Sequence, residues 1–178
     1  RRGQTVVDFC AGAGGKTLAL AALMRGRGQV FACDVSATRL ARLRPRLARS
    51  GATNVQPFGI DHEGDAKLGR LAARADAVLV DAPCSGTGTL RRNPDVKWRL
   101  RESDVDELAA KQRAILAAAA RLVRPGGALV YATCSLLDEE NGQVRAWFES
   151  AHPGWRVDPA GPVLERQGAR VEPRLDAD

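Results

Sequence analysis

The chain has 178 residues, 44% hydrophobic and 27% charged, a balance that suits one domain with a buried core and excludes wholesale disorder. Lys and Arg number 27 against 21 Asp and Glu, a net charge of +6, compatible with a polyanionic partner or with a solvated, arginine-rich surface. No apolar run reaches the length of a membrane span, and Arg1-Arg2-Gly3-Gln4 carries no signal-peptide pattern. A cytoplasmic protein without a membrane partner, and a monomer, are the expectation.

Thr5 to Phe9 is a short apolar, β-branched run, broken by the glycines of Cys10-Ala-Gly-Ala-Gly-Gly-Lys16 and followed by helix formers from Thr17 to Met24. The pattern reads as strand, tight glycine turn, helix. Gln29 to Cys33 reads as a second strand ending at Asp34. Ser36 is a candidate N-cap for a helix to about Ser50, stopped by Gly51 and bent by Pro45. A third strand fits Asn54 to Phe58, with Asp61 in the loop beyond it. Ala77 to Val80 is a fourth, ending at Asp81-Ala-Pro-Cys84. Ser103 is a candidate cap for a long Ala-rich helix to about Val123, closed by Arg124-Pro-Gly-Gly127. Ala128 to Ala132 is a fifth strand, ending at Thr133-Cys-Ser135. A helix from about Glu139 to Ser150 and a weak strand near Trp155 to Val157 follow, and from Pro159 the pattern dissolves.

Strands alternating with helices imply a parallel sheet with right-handed crossovers, its strands apolar on both faces because helices cover both sides. In such sheets ligands bind at the carboxyl ends of the strands. The turn Cys10, Ala11, Gly12, Ala13, Gly14, Gly15, Lys16 would let a ligand approach the backbone and the helix amides, but its spacing is not the dinucleotide fingerprint G-x-G-x-x-G, which disfavours a dehydrogenase. Three acids sharpen the reading. Asp34 is placed to accept hydrogen bonds from ribose hydroxyls, Asp61 to reach an adenine amino group, and Asp81 ends the fourth strand. Together they suggest a nucleoside-cofactor crevice, set against the ordinary use of Asp at loop starts.

Of the four cysteines, none is paired as C-x-x-C, and His62 and His152 are far apart, so no metal site is expected. Cys33 lies inside a strand and reads as core. Cys10 lies within the glycine turn, suited to packing or cofactor contact. Cys84 and Cys134 both follow buried strands and face the same crevice, where a thiol can act as a nucleophile. Arg91, Arg92, Lys97, Arg99 and Arg101, with Trp98 among them, form a basic segment that could grip phosphates and stack a splayed base. The competing reading has Trp98 docked in the core and the charges merely solvated.

Three motifs together carry a family resemblance: Cys10-Ala-Gly-Ala-Gly-Gly-Lys16; Asp81-Ala-Pro-Cys-Ser-Gly-Thr-Gly88 with Arg91-Arg-Asn-Pro-Asp95 and Trp98; and Tyr131-Ala-Thr-Cys-Ser135 with Glu139-Glu-Asn141. From about Thr5 to Phe148 the chain resembles the RNA cytosine-5 methyltransferases, most closely the bacterial ribosomal RNA enzymes of the RsmB (Fmu/Sun) type. It departs from them at Gly12-Ala13, where that family usually has Ala-Pro. The usual Asp-Gly-Phe-Phe strand is missing too, so residues 1–178 read as one catalytic core excised from a longer protein. The resemblance implies a Rossmann-like fold, S-adenosylmethionine as cofactor and RNA, ribosomal RNA first, as partner. It assigns Cys134 as nucleophile on cytosine carbon 6, Cys84 to adduct release and Asp81 to the base. Lys16 is left to touch the base, to hold Asp81 or to be a solvated first-turn lysine. A tRNA substrate, a catalytically silent RNA-binding module and an amino-group methyltransferase are the rival expectations; the last is disfavoured because Asp81-Ala-Pro-Cys84 replaces its usual Asn/Asp-Pro-Pro-Tyr.

Overall fold

The computed structural model describes residues 3–158 and Gly161. Residues 1–148 make one compact unit and residues 149–178 a second; the first holds the sheet and every candidate site residue. Five strands form its sheet: β1 (Thr5–Asp8), β2 (Gln29–Asp34), β3 (Val55–Gly59), β4 (Ala75–Asp81) and β5 (Val123–Ala132). Their order is β3-β2-β1-β4-β5, and all pairings are parallel. The chain thus runs outward from β1 to β3, then returns to lay β4 on the free side of β1. This reversal makes the β1/β4 boundary a topological switch point, where the loops above the strands diverge and leave a crevice. The fold is a Rossmann-like α/β fold, as expected.

Parallel neighbours need crossovers. The connections are α1 (Gly15–Leu23), α2 (Ala37–Ser50), a 3₁₀ turn over Ala66–Leu71, and a short α3 (Val96–Arg99) leading into the long α4 (Glu102–Ala120). Val7, Val30, Val78 and Val80, from the central strands, are fully buried. Leu40 and Leu43 of α2 pack with Ala11 and Ala32 in a cluster beside the glycine turn. Helix α2 keeps its expected limits: the Ser36 hydroxyl accepts the Arg39 amide at 3.3 Å, and Gly51 closes the helix in the left-handed region, φ 65°. Pro45 sits within it, withholding the amide that the Ala41 carbonyl would otherwise accept.

The structure departs from expectation around β5. Helix α4 is not capped by Ser103: the Asp104 carboxylate accepts the Arg101 amide at 3.0 Å, so the helix begins at Glu102 with Ser103 inside its first turn. At its other end Arg124-Pro-Gly-Gly127 is not a helix stop but part of β5. Val123 already pairs with Ala75, and the next matched pair is Ala77 with Ala128, so the four residues form a bulge. Arg124 holds it to β4, its Nε donating to Asp76 Oδ1 at 2.8 Å. The strand is also not apolar-buried on both faces, since Val130 is half exposed. Beyond β5, Asp138–Glu140 is a 3₁₀ turn, and α5 spans Gly142–Ala151, starting later than expected. Trp155 to Val157 is not a strand. The chain after Pro159 lies outside the described residues, apart from Gly161.

Candidate active site

The carboxyl ends of β1, β2 and β4 deliver Asp8, Asp34 and Asp81 to one edge of the sheet. Asp34 organises the glycine turn. Its Oδ2 accepts the Gly12 amide and its Oδ1 the Ser36 amide, both at 2.7 Å, so the carboxylate ties the turn after β1 to the start of α2. Arg46 of α2 adds a hydrogen bond to the Ala13 carbonyl at 2.8 Å. The glycines divide by role. A Cβ on Gly14 would meet Leu43 Cδ1 at 2.1 Å, so Gly14 packs the turn against α2. A Cβ on Gly12 or Gly15 would meet nothing within 4 Å; those two face open space, where a ligand can approach the backbone.

Asp8 carries no role in the sequence analysis, although it is the one acid in the apolar first strand. It is fully buried, its Oδ2 accepts the Thr17 hydroxyl at 2.6 Å, and its Oδ1 has no partner among the described residues. Burial pushes its carboxyl up; the Thr17 hydrogen bond opposes this, and the Asp81 charge adds to it. Burial also pushes Cys10, two residues on, up to about 12, which fits a packed thiol rather than a nucleophile. Cys33 is core, as expected, and fully buried. Asp61 lies beyond β3 in an exposed turn. Its carboxylate pairs with Lys67 at 3.1 Å, while Asp65 accepts its amide at 2.8 Å. An orphaned buried carboxylate oxygen, open backbone at Gly12 and Gly15, and acids at adjacent strand ends are a fitting donor set for a nucleoside with a charged tail.

The other half of the site lies over β4 and β5. Lys16, from the first turn of α1, donates to Asp81 at 2.6 Å. Three residues beyond Asp81, the Cys84 thiol meets the Cys134 thiol at 3.2 Å between sulfurs. The Cys134 amide also points at Cys84 Sγ, at 3.3 Å. Cys134 is exposed and Cys84 half-buried. Burial and the contact with Cys134 push Cys84 up to about 11, leaving it a neutral thiol at neutral pH. Gly88 lets the two loops close: its amide donates to the Cys134 carbonyl at 2.9 Å, and a Cβ there would lie 2.7 Å from that oxygen.

Glu140, quoted above only as part of a motif, is a fully buried carboxylate beneath the thiols. Its Oε1 accepts the Ser85 amide at 2.8 Å and the Gln112 side chain at 2.9 Å, and its Oε2 accepts the Ser85 hydroxyl at 2.5 Å. Burial pushes its carboxyl up, but hydrogen bonds from Ser135, Ser85 and Gln112 outweigh that and hold it below the usual range. It therefore stays charged.

The basic segment follows the Cys84 loop in the chain. Trp98 is 80% exposed, so it is not docked in the core. Lys97 Nζ lies 4.9 Å from its ring centroid, and Arg99 pairs with Asp95 at 2.6 Å. Among the described residues, no cluster of three or more His, Cys, Asp or Glu could hold a metal ion, and no helix is long and apolar enough to cross a membrane.

Strand order, the crevice at the switch point and the paired strand-end loops define a Rossmann-like protein of the methyltransferase class. The chain belongs to the 16S rRNA methyltransferase RsmB/F family, which it matches over residues 1–173. It is 44% identical over 151 residues to ribosomal RNA small subunit methyltransferase B of Sodalis glossinidius (strain morsitans), a match covering 84% of this chain and 34% of that protein. The crystal structure of PH0851 superposes with a TM-score of 0.82 at 44% identity, over 86% of this chain and 34% of the other. NSun6 from Pyrococcus horikoshii with SFG superposes with a TM-score of 0.72 at 35% identity, over 82% and 37%. The chain thus spans about a third of the length of its similar relatives.

Proposed function

We propose that this chain is the catalytic core of an enzyme that methylates carbon 5 of a cytosine in RNA, with 16S ribosomal RNA as the substrate, through a covalent adduct at Cys134. The observation that carries the reading is the meeting of Cys84 and Cys134 at 3.2 Å, above the ends of adjacent strands and beside the Lys16–Asp81 pair. Family membership supports ribosomal RNA as the substrate class.

Carbon 5 of cytosine is a weak nucleophile. When the Cys134 thiolate bonds to carbon 6, the electrons of the 5,6 double bond make carbon 5 nucleophilic. Asp81, steadied by Lys16, is placed to hydrogen-bond the base near ring nitrogen 3 and to stabilise it as the adduct forms. S-adenosylmethionine, when bound, supplies the methyl group. The turn from Cys10 to Lys16, with Asp34 and Asp61, would hold it, and Asp8 belongs with that set through its unpartnered oxygen. Loss of the proton from carbon 5 then restores the double bond and expels the Cys134 thiolate. Cys84, in contact with that sulfur, assists the release. Exposure favours Cys134 as the attacking group. To reach the thiols the base must leave any helix, and Arg91, Arg92, Lys97, Trp98, Arg99 and Arg101 lie in the segment that follows the Cys84 loop, suited to hold the flanking strand.

The test uses the whole enzyme with unmodified 16S ribosomal RNA. Cys134→Ala forms no covalent adduct, and its turnover falls about 10⁴-fold or more, the scale of losing a covalent nucleophile. Cys84→Ala attacks, methylates once and stalls as a protein–RNA complex that survives denaturing gels. Adduct with Cys134→Ala and none with Cys84→Ala would reverse the roles.

A further inference from the structure

Two consecutive residues grip the two thiol loops: Asn141 the Cys134 loop alone, and Glu140 chiefly the Cys84 loop, with one further hydrogen bond from Ser135 beside Cys134. Glu140 takes the Cys84 loop: its carboxylate accepts the Ser85 amide and hydroxyl. Gln112, held by the same carboxylate, donates to the Pro83 carbonyl at 2.9 Å. The residues on both sides of Cys84 are therefore fixed by one buried acid–amide pair. Asn141 takes the Cys134 loop: its Nδ2 donates to the Ser135 carbonyl at 3.0 Å and the Leu137 carbonyl at 2.7 Å. Its Oδ1 accepts the Thr133 hydroxyl at 2.7 Å. The 3₁₀ turn that carries both is anchored to β5, since Tyr131 donates its hydroxyl to the Glu140 carbonyl at 2.7 Å.

The energetics mark this arrangement as more than filler. A buried carboxylate is costly unless its lone pairs are met, and here the Ser85 amide and hydroxyl, the Gln112 amide and Ser135 meet them. Gln112 is fully buried, yet its Oε1 has no partner among the described residues. That unmet acceptor is destabilising, and it accompanies the use of both amide hydrogens on Glu140 and Pro83. Turning the amide over would satisfy neither acceptor, which fixes its orientation.

We propose that Glu140 and Asn141 are positioning residues with separate duties: Glu140, through Gln112, holds Cys84 in place for adduct release, and Asn141 holds Cys134 in place for attack. This rests on the assignment of the two thiols above. Neither residue touches the base; each acts through the loop that it grips.

The experiment follows adduct and turnover in the whole enzyme, with an unmodified 16S ribosomal RNA transcript and S-adenosylmethionine. Glu140→Ala accumulates covalent protein–RNA complex, as Cys84→Ala does, while turnover drops about tenfold or more, the scale of a lost positioned hydrogen bond. Glu140→Gln keeps an acceptor for the Ser85 amide and for Gln112, so it restores turnover and clears the adduct. Asn141→Ala, placed in the Cys84→Ala background, slows adduct formation about tenfold. Ser85→Ala, which removes one strut and leaves the buried carboxylate's other partners, accumulates a smaller amount of adduct and serves if Glu140→Ala does not fold. A purely structural role predicts a lower melting temperature with attack and release slowed together and no adduct. That outcome, with Cys84→Ala still trapping adduct, overturns the division of duties and leaves the thiol assignment standing. No trapped adduct in Cys84→Ala itself overturns both.

Discussion

The two halves of the sheet edge are built by different means. Over β1, β2 and β3 the site is made of backbone: a glycine turn shaped by Asp34 through two amides, with acids supplied one per strand end. Over β4 and β5 it is held by buried side chains that reach the loops across large sequence separations, Glu140 to the Ser85 amide and hydroxyl 55 residues away and Gln112 to the Pro83 carbonyl 29 residues away. A backbone-built site presents amides and open space to a ligand whose shape is fixed, and one carboxylate suffices to hold it. A site that must bring two sulfurs into contact needs both loops held, and the buried Glu140–Gln112 pair, Asn141 and the hydrogen bonds between the loops do that.

Changes confined to one half sharpen the contrast. The largest effect is expected from Asp34→Ala, which frees the Gly12 and Ser36 amides. S-adenosylmethionine affinity by calorimetry falls at least about tenfold, and stability falls by about 1–3 kcal/mol, while alkylation of Cys134 by iodoacetamide proceeds at its former rate. Unchanged affinity would remove Asp34 from the cofactor site. Gly88→Ala strikes the other half. The new methyl group has no room beside the Cys134 carbonyl, so turnover drops several-fold and the melting temperature falls, a cost of about 1–3 kcal/mol by overpacking. Cofactor affinity stays put, and a loss of affinity equal to the loss of turnover would show that the halves are not independent.

A smaller effect belongs to the basic segment. Neutralising Arg91 and Arg92 flattens the salt dependence of RNA affinity by about two phosphate units without touching cofactor affinity; an unaltered slope would return the segment to plain surface. The smallest is an alkaline loss of stability shared by both halves. Cys10 and Cys33 are held at about 12, and Cys84 at about 11, against an ordinary value of 9.0. A raised value means that the fold favours the protonated thiol. That stabilisation is complete below pH 9 and is lost as pH climbs toward 11 and 12. Melting temperature should decline over this range, and less steeply in Cys33→Ala.

The same contrast explains how much was legible in the chain. The strand runs, the Ser36 and Gly51 limits of α2 and the strand-end positions of Asp34, Asp81, Cys84 and Cys134 follow from local periodicity and turn chemistry. The Lys16–Asp81 hydrogen bond joins residues 65 apart in the chain, so local pattern leaves that contact open. Glu140 and Gln112 were missed because nothing local distinguishes a buried acid from a solvated one in Asp-Glu-Glu, or a buried glutamine in an Ala-rich helix. Asp8 was the exception: an acid inside an apolar strand is a local anomaly, and its burial with an unmet oxygen is what that anomaly signifies. The start of β5 was misread because Arg-Pro-Gly-Gly is a sound helix-stop pattern; only pairing with a strand 48 residues earlier, through Arg124 and Asp76, makes it a bulge.

The separation of the two thiols also sets an order of assembly. On a ribosome Cys84 emerges first, its loop ungripped, because Gln112, Glu140 and Cys134 are still to be made. β4 can pair with β1 at once, but its other edge has no partner until the whole of α4 has crossed over and β5 has docked, the kind of long-range parallel pairing that closes late. The sulfurs therefore come within contact only when the sheet is complete.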